Sequence, residues 1–544
     1  MLAIELGRRE VPVILFDQNP STSTDPKGNA IQARTMEHFR RLGIADVIRT
    51  KGLPRDFPTD IVYFTRNTKH ELARFRLPTS NEARELAKTL SGSWSTPELP
   101  HRCTQMLVEQ VLRQEAEKLP SVSVRFGCPV SAVEDTGRHV SVSVMQADQM
   151  KRLKCAYLIG CDGARSLVRR HLRVSYGGES GNVRDFMGGR MHAIYFRAPQ
   201  LFSEMNVDPA WMYWTFNADR RSFMATVNGR DEFVFHTQLK VDEADREITE
   251  IDARRMFAQS FGQDAEIDII SCASWTAGFA LVAERFQTGR MFIAGDAAHL
   301  FTPTGGIGYN TAIEDAVNLG WKLAAVMNGW ADPALLDTYE LERRPNALRN
   351  TAYAQSFADS IGLFVPVPEL EDESSLGETA RAEAGKYLEN HARAEFNIPG
   401  IKLGADMTAR LQSSATVRSR HRTAQTNTYK PLAPAGVHRM PGSPMASLYS
   451  TSLVRSFPCC ALPRVRMWRL SGRPQSISTF RWISSTCSTN HCEISTKRTW
   501  RLFARIKSSS GAETPCLLIQ SVSSKSLPSA GSRVLPMPPL EHRA

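Results

Sequence analysis

The chain has 544 residues, 42% of them hydrophobic and 23% charged, the make-up of a globular protein with room for about two to four domains. Its net charge of +11 is uneven: 15 Lys and Arg against 3 Asp and Glu lie after position 434, leaving 52 against 53 in residues 1–434. The body is therefore neutral and carries no recognition motif, which excludes a nucleic-acid partner. No apolar run reaches the roughly 18 residues of a membrane span. The absence of a secretory signal points to the cytoplasm. Five of the ten cysteines fall after position 458 with no CxxC pair, so no metal site is expected.

In chain order, Ala3, Ile4 and Leu6 read as the end of an amphipathic helix. Residues 7–10 are a turn, and residues 11–16 an apolar strand that stops at Asp17. In a dinucleotide-binding βαβ unit a carboxylate at that place binds ribose hydroxyls. Such a unit has a strand and a G-x-G-x-x-G turn ahead of its helix, and this sequence opens inside the helix. Met36, Phe39 and Leu42 share a helical face closed by Gly43, with Arg34 near the helix start. Residues 61–64 read as a strand, 82–89 as a polar helix, and 105–112 as an amphipathic helix beginning at Gln105. Residues 121–126 and 139–144 alternate with period two and read as strands. Residues 157–160 form an apolar strand ending at Asp162 and Gly163, with Arg165, Arg169 and Arg170 on a short helix behind it. Cys161 reads as packing rather than a nucleophile, because no base accompanies it.

Residues 185–285 hold aromatic-rich strands near 192–197, 211–216 and 232–237, a sheet pattern. Tyr213, Trp214, Phe235, His236 and Trp275 are candidates for a ring-binding pocket, although aromatic residues are commonly core. The densest stretch is 290–326. Met291 to Ala294 is a buried strand, and Gly295 and Asp296 follow at its carboxyl end, where open α/β sheets bind ligands. Thr302 to Gly308 is a glycine-rich loop. From about Asn310 the pattern is helical, with Ala312, Ala316, Leu319 and Leu323 on one stripe. A helix N-terminus suits an anionic ligand, and a neighbouring carboxylate suits sugar hydroxyls. Residues 335–349 and 351–425 are helical. From 442 onward Ser and Arg dominate and no period persists, so an irregular basic tail is expected.

The stretch GDAAHLFTPTGGIGYN (residues 295–310) resembles the second FAD motif of the single-component flavin aromatic hydroxylases. That group includes para-hydroxybenzoate hydroxylase and phenol hydroxylase. CDGARS (161–166) resembles its DG motif, in the same order along the chain. The resemblance covers residues 1 to about 440. It implies an α/β fold: a Rossmann-like FAD-binding βαβ domain, lacking its first strand and Gly-rich loop, interleaved with a β-sheet substrate domain. The expected segments are 1–180 and 286–350 for FAD binding, 181–285 for substrate and 351–441 helical. Residues 442–544 would be an aberrant tail. In a shifted codon frame, 443–462 and 499–513 resemble the family's thioredoxin-like C-terminal domain, which implies a frameshift, and the opening implies an N-terminal truncation.

The resemblance assigns Asp17 to the adenosine ribose, Arg34 to the pyrophosphate, Gln105 to the flavin moiety and Asp296, after Gly295, to the ribityl chain. Pro303, Gly305, Gly306, Gly308, Tyr309 and Asn310 would lie under the isoalloxazine, the Asn310 N–H facing its N1–C2=O edge. Asp162 and Gly163 would border the nicotinamide approach. No residue is assigned a catalytic acid–base role. The implied activity is hydroxylation of a phenolic ring with NADPH or NADH and O₂, through a flavin C4a-hydroperoxide, with a homodimer as the expected assembly. A polycyclic substrate and a non-catalytic remnant are the alternatives.

Overall fold

In a computed structural model, described over residues 1–90, 95–179, 186–398, 401 and 517–521, the short apolar runs of the sequence become a six-stranded sheet. Its order is Gln287–Thr288, Met291–Ile293, Tyr157–Cys161, Leu517–Ser521, Val13–Asp17, Val122–Arg125. All neighbours run parallel except the first pair. Parallel strands are buried on both faces, which is why they read as continuous apolar runs. Phe16, Leu158, Ile159, Phe292 and Ile293 fill the core, with Leu319 and Leu323 from the helix Ile307–Met327. The helix Leu2–Gly7 crosses that helix so closely that a Cβ on Gly320 would meet the Cβ of Glu5 at 2.6 Å. The described residues fall in the unit Met1–Tyr429 with Pro515–Ala544.

The expectation of an irregular tail fails at five residues. Leu517–Ser521 lies between Val13–Asp17 and Tyr157–Cys161, parallel to both. A βαβ unit gives that place to the strand ahead of its first helix. Leu518 and Ile519 are 0% and 2% exposed. The physical reason is local. The two flanking strands offer hydrogen-bonding edges and an apolar floor, and a short apolar run satisfies both. The rest of the 442–544 segment, with its shifted-frame reading, lies outside the described residues.

A second sheet has seven strands, in the order Asp268–Ala277, Gly189–Arg197, Glu232–Gln238, Arg221–Thr226, Met212–Phe216, Ile61–Phe64, Glu71–Phe75. Two of its strands come from residues 61–75, ahead of the aromatic-rich segment. Alternation sorts the side chains by face. Phe64, Tyr213, Met224 and Phe235 pack with Phe257 of the helix Glu250–Phe261. Tyr63, Trp214, Phe216 and Phe223 point the other way, toward residues of the helices Asp337–Leu363 and Ser375–Phe396.

Candidate functional site

Three strands of the first sheet deliver acids to its carboxyl edge. Asp17 is buried, and its Oδ1 accepts the Asn19 N–H at 2.8 Å and the Asn19 Nδ2 at 2.9 Å. Asp162 turns inward. Its Oδ2 accepts the N–H groups of Leu167 at 2.7 Å and Val168 at 3.1 Å, and its Oδ1 takes the Ser166 hydroxyl. These bonds cap the helix Leu167–His171, so Asp162 fixes the strand-to-helix turn that Gly163 makes at φ +72°. Asp296 follows Gly295, whose φ is +60°. It is exposed to solvent. Loss of hydration raises its carboxyl above the ordinary carboxylate range, while His299 and Lys27 pull it down. Lys27 shares the cleft: burial lowers its ammonium, and Glu109, Asp25, Asp296 and Asp17 oppose that shift. Asp17 and Asp296, distant in sequence, thus face one cation.

The glycine-rich loop meets the segment after Val13–Asp17 backbone to backbone. Gly305 and Gly306 have φ of +61° and +60°, and a Cβ on Gly306 would sit 2.7 Å from the Cβ of Ala30. Asn310 locks the contact. Its buried amide accepts the Gln32 N–H at 2.9 Å and donates to the carbonyls of Ala30 at 2.8 Å and Gly306 at 2.6 Å. The helix starts at Ile307, earlier than the Asn310 start of the apolar pattern, because the left-handed Gly306 caps it. The outermost N–H groups of its first turn therefore belong to Ile307, Gly308 and Tyr309, with Pro303 exposed beside them. Gln105 opens the helix Gln105–Glu117, and its Nε2 donates to Glu109 at 2.8 Å. A Cβ on Gly28 would lie 3.6 Å from the Gln105 Oε1 and 4.0 Å from the Tyr309 Cβ, so these three residues converge. Arg34 is partly exposed and pairs with Glu37 on its own helix.

Two buried networks behind this edge escape the sequence reading. His299 Nε2 and Asp315 Oδ2 are 2.6 Å apart, and that oxygen also accepts the Gly295 N–H at 3.2 Å. Arg343 Nε donates to the other Asp315 oxygen at 2.7 Å. Burial works to raise Asp315, but His299 and Arg343 outweigh it and hold the carboxyl low. On the far side, Glu395 Oε1 accepts the Gly305 N–H at 2.5 Å, and its Oε2 lies 3.1 Å from His391 Nε2. The spacing of His391 and Glu395 on one helix was legible. Their contact with the loop was not.

Of the five aromatic candidates, the second sheet separates two from three. Tyr213 and Phe235 are core on the far face. Trp214, His236 and Trp275 share the near face with Phe223: His236 stacks on Phe223 at 4.6 Å and meets Trp275 edge-on at 5.9 Å. Burial lowers the His236 imidazole to about 3, so it is neutral at working pH, and pushes the Cys161 thiol up to about 12, which leaves it inert.

A family model described as FAD binding domain matches residues 1–354. The chain belongs to this FAD-binding family. Among its relatives is the FAD-dependent monooxygenase apdD of Emericella nidulans, 28% identical over 424 residues, which cover 74% of this chain and 66% of that protein. A 3-(3-hydroxy-phenyl)propionate/3-hydroxycinnamic acid hydroxylase of a Mycobacterium species is 31% identical over 347 residues, 64% of this chain and 55% of that protein. The chain thus spans 55% to 66% of the length of these curated relatives. Among solved structures, the rebeccamycin biosynthetic enzyme RebC with reduced flavin superposes with a TM-score of 0.66 at 31% identity, over 75% of each chain. The residues present fit the family's cofactor on the structure's own terms. The left-handed Gly305 and Gly306 bring the loop backbone against Ala30 at the start of the helix Ile307–Met327, and the exposed Asp296 offers a carboxylate to hydroxyls.

Proposed function

We propose that this chain is an FAD-dependent monooxygenase that hydroxylates an aromatic ring with NADPH or NADH and O₂. The observation that carries this reading is the FAD binding domain match over residues 1–354, with Asp296, Lys27 and the glycine-rich loop gathered at the carboxyl edge of the first sheet. Asp296 would take the ribityl hydroxyls, and the N–H groups of Gly308 and Tyr309 would face the negative edge of the flavin. Asp17 would hold the adenosine ribose, Gln105 would meet the ring system, and Pro303 would flank it. Gly295 and Asn310 would set the shape of the cleft, and Asp162 and Gly163 the turn beside the nicotinamide approach. Bound FAD supplies the redox chemistry, taking electrons from the nicotinamide and activating O₂. The protein's own contribution is to orient the aromatic ring against the near face and to keep water out. The neutral His236 and Phe223, stacked on each other at 4.6 Å, would meet a substrate ring through their edges.

The test is to purify the full chain, record the flavin band, and follow NAD(P)H oxidation across single-ring phenols and fused polycyclic aromatics. Retained FAD, substrate-stimulated oxidation and one oxygen atom from labelled O₂ in the product support the reading. A colourless protein that does not take up added FAD overturns it.

A further inference from the structure

Where the start of the Gln105–Glu117 helix approaches the second sheet, a small cavity carries polar groups that the flavin-site reading leaves unused. Its volume is about 10 Å³, the room of one water or one ligand oxygen. Its polar lining includes Lys27, which also faces Asp296, together with Asn29, Arg102, Thr104 and Trp211, and among the described residues no acid lines it. Arg102 is 7% exposed, and its guanidinium lies 3.9 Å from the Trp211 ring centroid. Among the described residues its Nε has no acceptor, and neither the Nε1 of Trp211 nor the hydroxyl of Thr104 has a partner. Trp211 and Thr104 are 1% and 2% exposed. Thr104 is the N-cap residue of its helix, yet its hydroxyl does not cap it.

The other buried arginines all have acceptors: Arg343 has Asp315 and Glu314, Arg220 has Glu243, and Arg169 has the Ala164 carbonyl and the Tyr176 hydroxyl. Among the described residues Arg102 has no such partner, only aromatic rings. A buried cation and two buried donors around one space are costly unless something accepts from them. An oxyanion answers all three and neutralises the charge; a water does not. Val234 also lines the cavity and lies two residues from His236 on the same strand and face. A ring meeting Phe223 and His236 is thus about 7 Å, two strand residues, from the cavity.

We propose that Arg102, with Thr104 and Trp211, forms an oxyanion subsite that holds a carboxylate or phenolate oxygen of the aromatic substrate. The identity of that ligand as the substrate rests on the monooxygenase reading; the anion site itself does not. The test titrates the full chain with 3-hydroxybenzoate and with 3-cresol at pH 7, without nicotinamide, reading tryptophan fluorescence. The acid is expected to bind at least about tenfold more tightly than the cresol, and Arg102→Met to remove that preference while sparing cresol binding. Arg102→Lys, which keeps the charge, should keep part of it. Cresol binding that strengthens as the phenol ionises, and does so only with Arg102 present, supports the phenolate as the ligand. Equal binding of acid and cresol with no such pH dependence overturns the subsite. So does a parallel loss of both ligands in a folded Arg102→Met, or loss of FAD with acid binding unchanged. Where Arg102→Met does not fold by circular dichroism, the acid-to-cresol ratio of the parent and of Arg102→Lys decides. A chain that binds the acid but never turns over sinks the monooxygenase reading and leaves the subsite standing.

Discussion

Asp296 combines exposure with poor hydration. It has lost part of its water shell to the cleft walls, so hydroxyl donors arriving there replace solvent it already lacks. Asp296→Ala is expected to weaken FAD binding by about ten- to a hundredfold, the worth of charge-assisted hydrogen bonds. Asp296→Asn should lose less. Flavin fluorescence titration reads both, and unchanged affinity in the alanine variant would remove Asp296 from the site. Asn310 acts differently, because its amide is consumed internally. Asn310→Ala leaves the Gln32 N–H and the Ala30 carbonyl without their partner in a buried place. At about 1–3 kcal/mol per orphaned group, a stability loss of about 2 kcal/mol or more is expected in urea unfolding. A loss under half of that would mean water replaces the amide.

At the scale of elements, legibility followed the range of the interactions. The Met291–Ile293 strand, its glycine-rich loop and the helix Ile307–Met327 were readable because apolar run, turn and stripe are all local. The helix start was misplaced because a left-handed glycine cap lies ahead of the apolar stripe. Which aromatics fall on which face of the second sheet was not readable. Tyr213 and Trp214 are adjacent and chemically alike, and only strand pairing sends one to the core and the other to the near face. The Glu395–Gly305 and Lys27–Asp296 relations join remote segments, and no spacing encodes them.

The strands His101–Arg102 and Gly189–Arg197 carry a further consequence. Burial lowers His101 to about 3 and His192 to about 4. The folded chain keeps both imidazoles neutral, whereas the unfolded chain protonates them near 6.5. Folding therefore releases protons, and stability falls as pH drops below about 6.5, by about 1.4 kcal/mol per unit per histidine until the folded values are reached. Thermal unfolding is expected to show Tm flat above pH 7 and declining steadily from pH 6.5 to 4.5. In the double variant His101→Gln with His192→Gln the decline should be shallower; an identical slope would assign the acid sensitivity to other groups.

For the molecule as a whole, the first sheet depends on a strand that comes from the far end of the chain. Leu517–Ser521 supplies both ladders that join the Val13–Asp17 side to the Tyr157–Cys161 side. Asp17 sits on one side of it, Asp162 and Asp296 on the other, so the strand sets the spacing of the acids at the carboxyl edge. Burying Leu518 and Ile519 contributes about 1.5–3 kcal/mol each. Removing the strand also opens two inner edges to solvent or to other chains. Ile519→Pro deletes a ladder donor in the middle of the sheet, where proline is not accommodated. Two outcomes are expected together: a Tm lower by several degrees, and a loss of FAD affinity larger than that of Asp296→Ala. Deleting residues 522–544 leaves the strand in place and should do neither, while deleting 515–544 should reproduce the proline variant with aggregation added. If Ile519→Pro melts and binds flavin like the parent, the two halves of the sheet are held by the helices alone, and the strand is an accessory to the cofactor cleft rather than its spacer.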